Sequence, residues 1–196
     1  MRYLFYDTET TGFPDDYVPI DADSQPHCVQ IAAIMTDESG SELSCINLTV
    51  KPDGWSIPAS ASRIHGITNE IASKIGIREV VAGGVFYDLI CQSDMVVAHN
   101  EKFDRKIVKT MLARSRPQWK FKTPSECTME MATPLLNLPP TDRMIAAGFD
   151  KPKPPKLEEC YKFFFGEELK GAHDALIDVR ACARVYWHIK RMGDNA

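Results

Sequence analysis

A chain of 196 residues, 44% hydrophobic and 26% charged, has the length and make-up of one globular domain and excludes low-complexity or collagen-like classes. No run of 18 apolar residues occurs, which excludes a membrane-spanning helix, and the acids Asp7 and Glu9 interrupt the N-terminus before a secretory apolar segment forms. The net charge of −4 argues against a strongly basic nucleic-acid binder, unless several of the acids gather around cations and are neutralised there.

In chain order, RYLFYDTET (2–10) reads as a strand with apolar residues on both faces, as a central strand covered on both sides requires. CVQIAAIM (28–35), the turn Asp37-Glu38-Ser39-Gly40 and LSCINLTV (43–50) form a hairpin pattern. Residues 58–75 read as one or two short helices around IHGIT, and 78–93 as an amphipathic helix. MVVAH (95–99) is a short buried strand backed by a helix over 100–115. Strand-like SECTM (125–129) leads into a proline-rich mixed region, then a helix over 156–166 ended by Gly166 and a last helix from about Ala172 to Met192. Prolines at 139–140 and 152–155 punctuate loops, so residues 1–196 are expected to form a single domain, α/β with a mixed sheet. Six cysteines stand singly with no CxxC pair, which suits a reducing compartment and a cytoplasmic location.

Three short motifs carry chemistry. Asp7 and Glu9 are two apart on a strand, so both carboxylates leave from the face of Tyr3 and Phe5. Two such charges are costly together unless a cation lies between them, and hard divalent ions take oxygen ligands of this kind. Taken alone, the pair is better described as a strand that has ended in solvent. Asp104 lies in line with Ile107, Val108, Met111 and Leu112, the inward stripe of its helix, although a first-turn acid is also what the helix dipole favours. Asp178 lies on the apolar row Ala175, Cys182, Val185 and Ile189, with His173 on the loop before it. Four carboxylates and a histidine aimed at one interior suit two-cation hydrolysis of a phosphodiester, and an unperturbed imidazole pKa of about 6.5 suits a base that deprotonates water.

These motifs, in this order, resemble the DEDDh 3′→5′ exonucleases, the group that includes bacterial proofreading subunits. Phe5-Tyr6-Asp7-Thr8-Glu9-Thr10-Thr11-Gly12 is similar to the first family motif, Ala98-His99-Asn100 with Phe103-Asp104 to the second, and Ala172-His173-Asp174-Ala175 with Asp178 to the third. Ile64-His65-Gly66-Ile67-Thr68 adds a signature of the proofreading-like branch, and the likeness runs from Tyr3 to about Tyr186. It implies an RNase H-like fold with a mixed five-stranded sheet flanked by helices. It implies two divalent cations, Mg²⁺ or Mn²⁺, held by Asp7, Glu9, Asp104 and Asp178, with His173 as general base. The expected partner is a nucleic acid with a free 3′ end, single-stranded DNA first and short RNA second. Carried over residue by residue, Thr10 and the backbone around Thr8 and Glu9 would meet the terminal 3′-hydroxyl, and Phe13 would wedge against the terminal base. Ile64 and His65 would flank that nucleotide, and Asn100 and Phe103 would support the pocket.

The segment Pro14 to His27, with Asp15, Asp16, Asp21 and Asp23, is longer than the turn many relatives carry and is expected to be a solvated surface loop. Arg114, Arg116, Trp119, Lys120, Phe121 and Lys122 form a basic, aromatic stretch, and Lys151, Lys153 and Lys156 a second; each suits either phosphate tracking or an exposed loop. Ending at Ala196, soon after the final helix, the chain is expected to be free-standing, phage-type, or docked to a polymerase or other partner by another surface. The rival from another class is a non-catalytic binding module, which would be expected to lack at least one of the five site residues.

Overall fold

The computed structural model describes residues 1–116 and 118–194; Ala196 lies outside the described residues. Five strands form one sheet: β1 (Tyr3–Thr10), β2 (Cys28–Thr36), β3 (Glu42–Thr49), β4 (Met95–Ala98) and β5 (Ser125–Cys127), in the order β3-β2-β1-β4-β5. β1 pairs antiparallel with β2 and parallel with β4, so the sheet is mixed and β1 is its centre. β2 is buried along its whole length, which is why its sequence is nearly continuous in apolar residues, whereas edge strand β3 alternates toward solvent.

Side-chain alternation on β1 sorts the core into two layers. Leu4 and Tyr6 pack with Ile31 against α3 (Glu79–Gln92) and α4 (Glu101–Ser115), through Phe86, Ile107 and Met111. Phe5 packs on the other face with Ala32 and Val97 against α8 (Ala175–Asp194), through Val179, Cys182 and Tyr186. Each large side chain buried this way contributes about 1.5–3 kcal/mol. The same alternation then carries Asp7 and Glu9 toward α8 and Thr8 toward α4.

Around the sheet lie α1 (Ala59–His65) and α2 (Asn69–Ile75), divided at Gly66 by a left-handed φ of 75°. Beyond β5 the proline-rich stretch is more helical than its composition suggests. α5 (Thr128–Leu136) takes in Thr128 and Met129, which read as strand, and α6 (Asp142–Ala146) follows it. Pro134 lies inside α5, where it cannot donate the N–H that would otherwise bond the Glu130 carbonyl. After α7 (Leu157–Phe165), α8 begins at Ala175 rather than Ala172, because Asp174 caps it by accepting from the N–H groups of Leu176 (3.0 Å) and Ile177 (3.3 Å). No helix among the described residues is long and apolar enough to cross a membrane.

The 14–27 segment is exposed at its four aspartates yet fastened from beneath. Arg114 donates to the carbonyls of Ala22 (2.8 Å), Gln25 (2.7 Å) and Pro26 (3.3 Å). Buried Gln25 accepts from the N–H of Asp15 (3.0 Å) and donates to its carbonyl (2.6 Å). The solvated loop expected from its charge is therefore a pinned strap with solvated acids.

Candidate active site

The carboxylates come from three elements that the sheet brings to one edge. Asp7 and Glu9 end the α8-facing side of β1, Asp104 lies in the first turns of α4, and Asp178 in the first turn of α8. Ligating atoms of Glu9, His173 and Asp178 all lie within 4.8 Å of one another; Asp7 and Asp104 stand outside that trio. His173 adopts a left-handed φ of 70°, and its N–H donates to Asp178 Oδ2 at 2.9 Å. That bond holds the turn and leaves Asp178 Oδ1 buried with no hydrogen-bond partner. The His173 imidazole itself is exposed, with Nε2 3.9 Å from Glu158 Oε1 of α7.

Asp104 is held from the opposite side. Thr8 donates to Asp104 Oδ1 through both its N–H (3.0 Å) and its hydroxyl (2.7 Å). The start of α4 is further anchored by Glu101, which accepts from Tyr6 (3.1 Å) and from Arg105. Arg105 in turn donates to the carbonyl of Thr123 (3.1 Å) and covers the Phe121 ring.

Crowding of like charge shows in the acid strengths. Burial, then repulsion from Asp104, Asp178, Glu9 and Asp174, raises Asp7 well above the usual carboxylate range. Burial and the charges of Asp178 and Asp104 push Glu9 to about 8. Asp104 is pushed to about 7 by burial despite its bonds from Thr8, and Asp178 to about 6 by burial despite the His173 N–H. Such a cluster is unstable as four free anions. Hard oxygen donors, mutual repulsion and one orphaned buried oxygen together fit divalent cations.

Beside the cluster lies a cavity of about 330 Å³. Thr8, Thr10, Phe13, Ile64, His65 and Phe103 line it, together with Glu9. Phe13 is 89% exposed and meets Phe103 edge-on at 5.9 Å. A phenyl ring held this open makes a poor packing residue and a good stacking surface. His65 accepts from the N–H of Ile67 (3.1 Å), and burial with repulsion from His173 keeps its imidazole below its ordinary pKa. Asn100 does not line the cavity. It takes the left-handed conformation (φ 68°) that joins β4 to α4, which Asn tolerates better than most residues.

An RNase T exonuclease family model matches residues 4–186 of this chain. The chain belongs to that exonuclease family. Comparison with curated proteins gave no match. Among solved structures, E. coli exonuclease I in complex with a dT13 oligonucleotide is similar at a TM-score of 0.73 and 22% identity, over 99% of this chain and 43% of that one. The zinc-bound E. coli exonuclease I–ssDNA complex gives 0.72 and 22%, over 99% and 41%. The enzyme from Methylocaldum szegediense gives 0.71 and 23%, over 97% and 40%. This chain thus spans about two fifths of the length of those structures. The likeness establishes the shared fold: the mixed five-stranded sheet flanked by helices, as expected of an RNase H-like domain.

Several residues outside the expected site set also shape the site. Buried Gln30, opposite Glu9 in the β1–β2 register, accepts from the N–H of Ala175 (3.2 Å) and so docks the start of α8 beside Glu9. Asp174 adds charge to the cluster while capping α8. Glu158 approaches His173 from a helix that the site motifs do not include. His99, inside the second motif, is a buried strut: Nε2 donates to the Pro155 carbonyl (3.0 Å), Nδ1 accepts from Thr128 (2.9 Å), and burial pushes its pKa down to about 4. Of the basic clusters, Arg114 serves the strap, Trp119 stacks on Tyr87 (4.4 Å), and Lys153 bonds Glu159 (2.6 Å).

Proposed function

We propose that this chain is a 3′→5′ exonuclease that trims single-stranded DNA to nucleoside 5′-monophosphates with two divalent cations, Mg²⁺ or Mn²⁺, its elements from β1 to α8 working as one domain. One observation carries the reading: four crowded carboxylates from three elements include Glu9, which lines a cavity that also bears the exposed Phe13 ring. The oligonucleotides held by similar solved structures support the choice of DNA.

Asp7, Glu9, Asp104 and Asp178 would hold the cations, which neutralise charge on the scissile phosphate and on the attacking and leaving oxygens. The chain's own groups do the rest. Thr8 fixes the rotamer of Asp104, and the His173 N–H fixes that of Asp178. The exposed His173 imidazole takes the proton of the attacking water as the new P–O bond forms. The bond broken joins phosphorus to the 3′-oxygen of the penultimate nucleotide, which leaves and is protonated from solvent. Thr10, Ile64 and His65 hold the terminal nucleotide in the cavity while Phe13 and Phe103 meet its base.

The direct assay uses 5′-labelled single-stranded DNA and matched RNA with Mg²⁺, Mn²⁺ or EDTA. A cation-dependent ladder shortening from the 3′ end is expected, faster on DNA. Faster loss of RNA would reassign the substrate to short RNA, and no cleavage of either would favour the binding-module alternative. His173→Ala is expected to lower kcat by about 10²–10⁴-fold, the usual worth of a general base, with the acidic limb of the pH–rate profile lost. An unaltered profile would take that role from His173. Phe13→Ala is expected to raise KM about tenfold with kcat nearly kept, since stacking of one base is worth roughly 1–3 kcal/mol. A KM equal to wild type would make Phe13 a bystander.

A further inference from the structure

Phe103, Lys106 and Lys109 recur at three-residue intervals along α4, forming a row that leaves the cavity and covers about 9 Å at 1.5 Å per residue. Its far end opens into a groove of about 260 Å³, where Lys109, Lys120 and Lys122 surround Ile20, Trp119 and Phe121. The 14–27 strap follows the same helix in step. Phe13 meets Phe103, Asp16 pairs with Lys106, Ile20 lines the groove with Lys109, and Ala22 and Gln25 bind Arg114.

We propose that the phosphate backbone upstream of the 3′-terminal nucleotide lies along this lysine row, with Asp16 on Lys106 as the placeholder that a phosphate displaces. The proposal rests on the cavity taking the 3′ end, and it adds where the rest of the strand runs. Charge complementarity carries it. A protein with a net charge of −4 gathers Lys106, Lys109, Lys120 and Lys122 beside its site. The acids of the strap do not oppose them equally. Asp21 and Asp23 line a separate hollow with Lys51 and Arg78, and Asp15 accepts from the N–H of Tyr17 (2.8 Å). Asp16 pairs with Lys106 of the row, and its side chain is 87% exposed, so the pair is weak and exchangeable. At roughly 3.4 Å per stacked nucleotide, a strand held in the cavity reaches Lys109 after about three nucleotides. Contacts of this kind supply affinity without reading sequence.

The test measures binding of 5′-fluorescein dT3 and dT12, each with a 3′-terminal phosphorothioate linkage, by anisotropy in Mg²⁺ over a salt series. Wild type is expected to bind dT12 at least about tenfold more tightly than dT3. The variant K106A/K109A/K120A/K122A is expected to cut that ratio below about threefold and to flatten the slope of log K against log salt by about 2–3, at ~0.7 per phosphate contact. Asp16→Asn, which removes the competitor, is expected to tighten dT12 more than dT3. A dT12/dT3 ratio unchanged in the quadruple variant, or Asp16→Asn acting equally on both lengths, overturns the proposal. The two readings fail separately. Lysine-dependent dT12 binding with no trimming of DNA or RNA keeps the surface and removes the exonuclease polarity, whereas trimming with an unchanged ratio removes the surface alone.

Discussion

Asp7→Asn is expected to reduce the rate of DNA trimming by roughly 10³-fold or more, a loss of about 4 kcal/mol of transition-state stabilisation at 1.36 kcal/mol per tenfold. Asp7 is the member of the cluster that feels every other one: Asp104, Asp178, Glu9 and Asp174 all act on it. A cation held by these acids would lose one anionic ligand when the charge is removed, while the amide keeps the shape of the side chain. Affinity for the strand should fall far less, because the lysine row and Phe13 are untouched. Single-turnover cleavage of labelled dT12, beside anisotropy with the non-cleavable strand, separates the two. Trimming at a wild-type rate by Asp7→Asn would remove Asp7 from the catalytic set and with it the two-cation reading.

The same substitution is expected to act in the opposite direction on stability. Glu9, Asp104 and Asp178, pushed to about 8, 7 and 6 from ordinary values of 4.5 and 3.8, retain protons in the cation-free folded state that the unfolded chain has lost. The folded state therefore binds more protons across about pH 4–8, and stability must fall as pH rises through that window. Divalent cations held by the ionised acids would reverse the penalty, so the gain in Tm on adding Mg²⁺ or Mn²⁺ should grow from pH 5 to pH 8. In EDTA at pH 8, Asp7→Asn should melt about 5 °C above wild type. Removing one crowded buried charge is worth roughly 1–3 kcal/mol, and each kcal/mol moves a domain of this size by about 2–4 °C. Differential scanning fluorimetry across pH, with EDTA or with each cation, reads both effects. A wild-type Tm in EDTA that is flat or rising between pH 5 and 8 would mean the acids are not crowded in solution. Activity lost and cation-free stability gained by one substitution is the signature of a site strained for its ligand.

The sequence by itself determined the sheet and the identity of the crowded acids. Period-two alternation in YLFYDTET assigns Asp7 and Glu9 to the face of Phe5, and period-3.6 rows assign Asp104 and Asp178 to the inner sides of their helices. Those assignments depend on local geometry alone, since a side chain's direction within a strand or helix follows from its position. The helix α5 was hidden by Pro134, because single-residue propensity is overridden where packing against α7 and α8 buries Ala132. Only the tertiary structure decided which polar groups spend their bonds on one another. Thr8 is committed to Asp104, Gln30 to the start of α8, and Arg114 to a strap nearly 90 residues away in the chain. Likewise, what distinguishes Asn100 as a hinge from Phe13 as an open ring is exposure and contact, not residue type. Hydrogen bonds and desolvation depend on partners distant in the chain, and no local pattern encodes the partner.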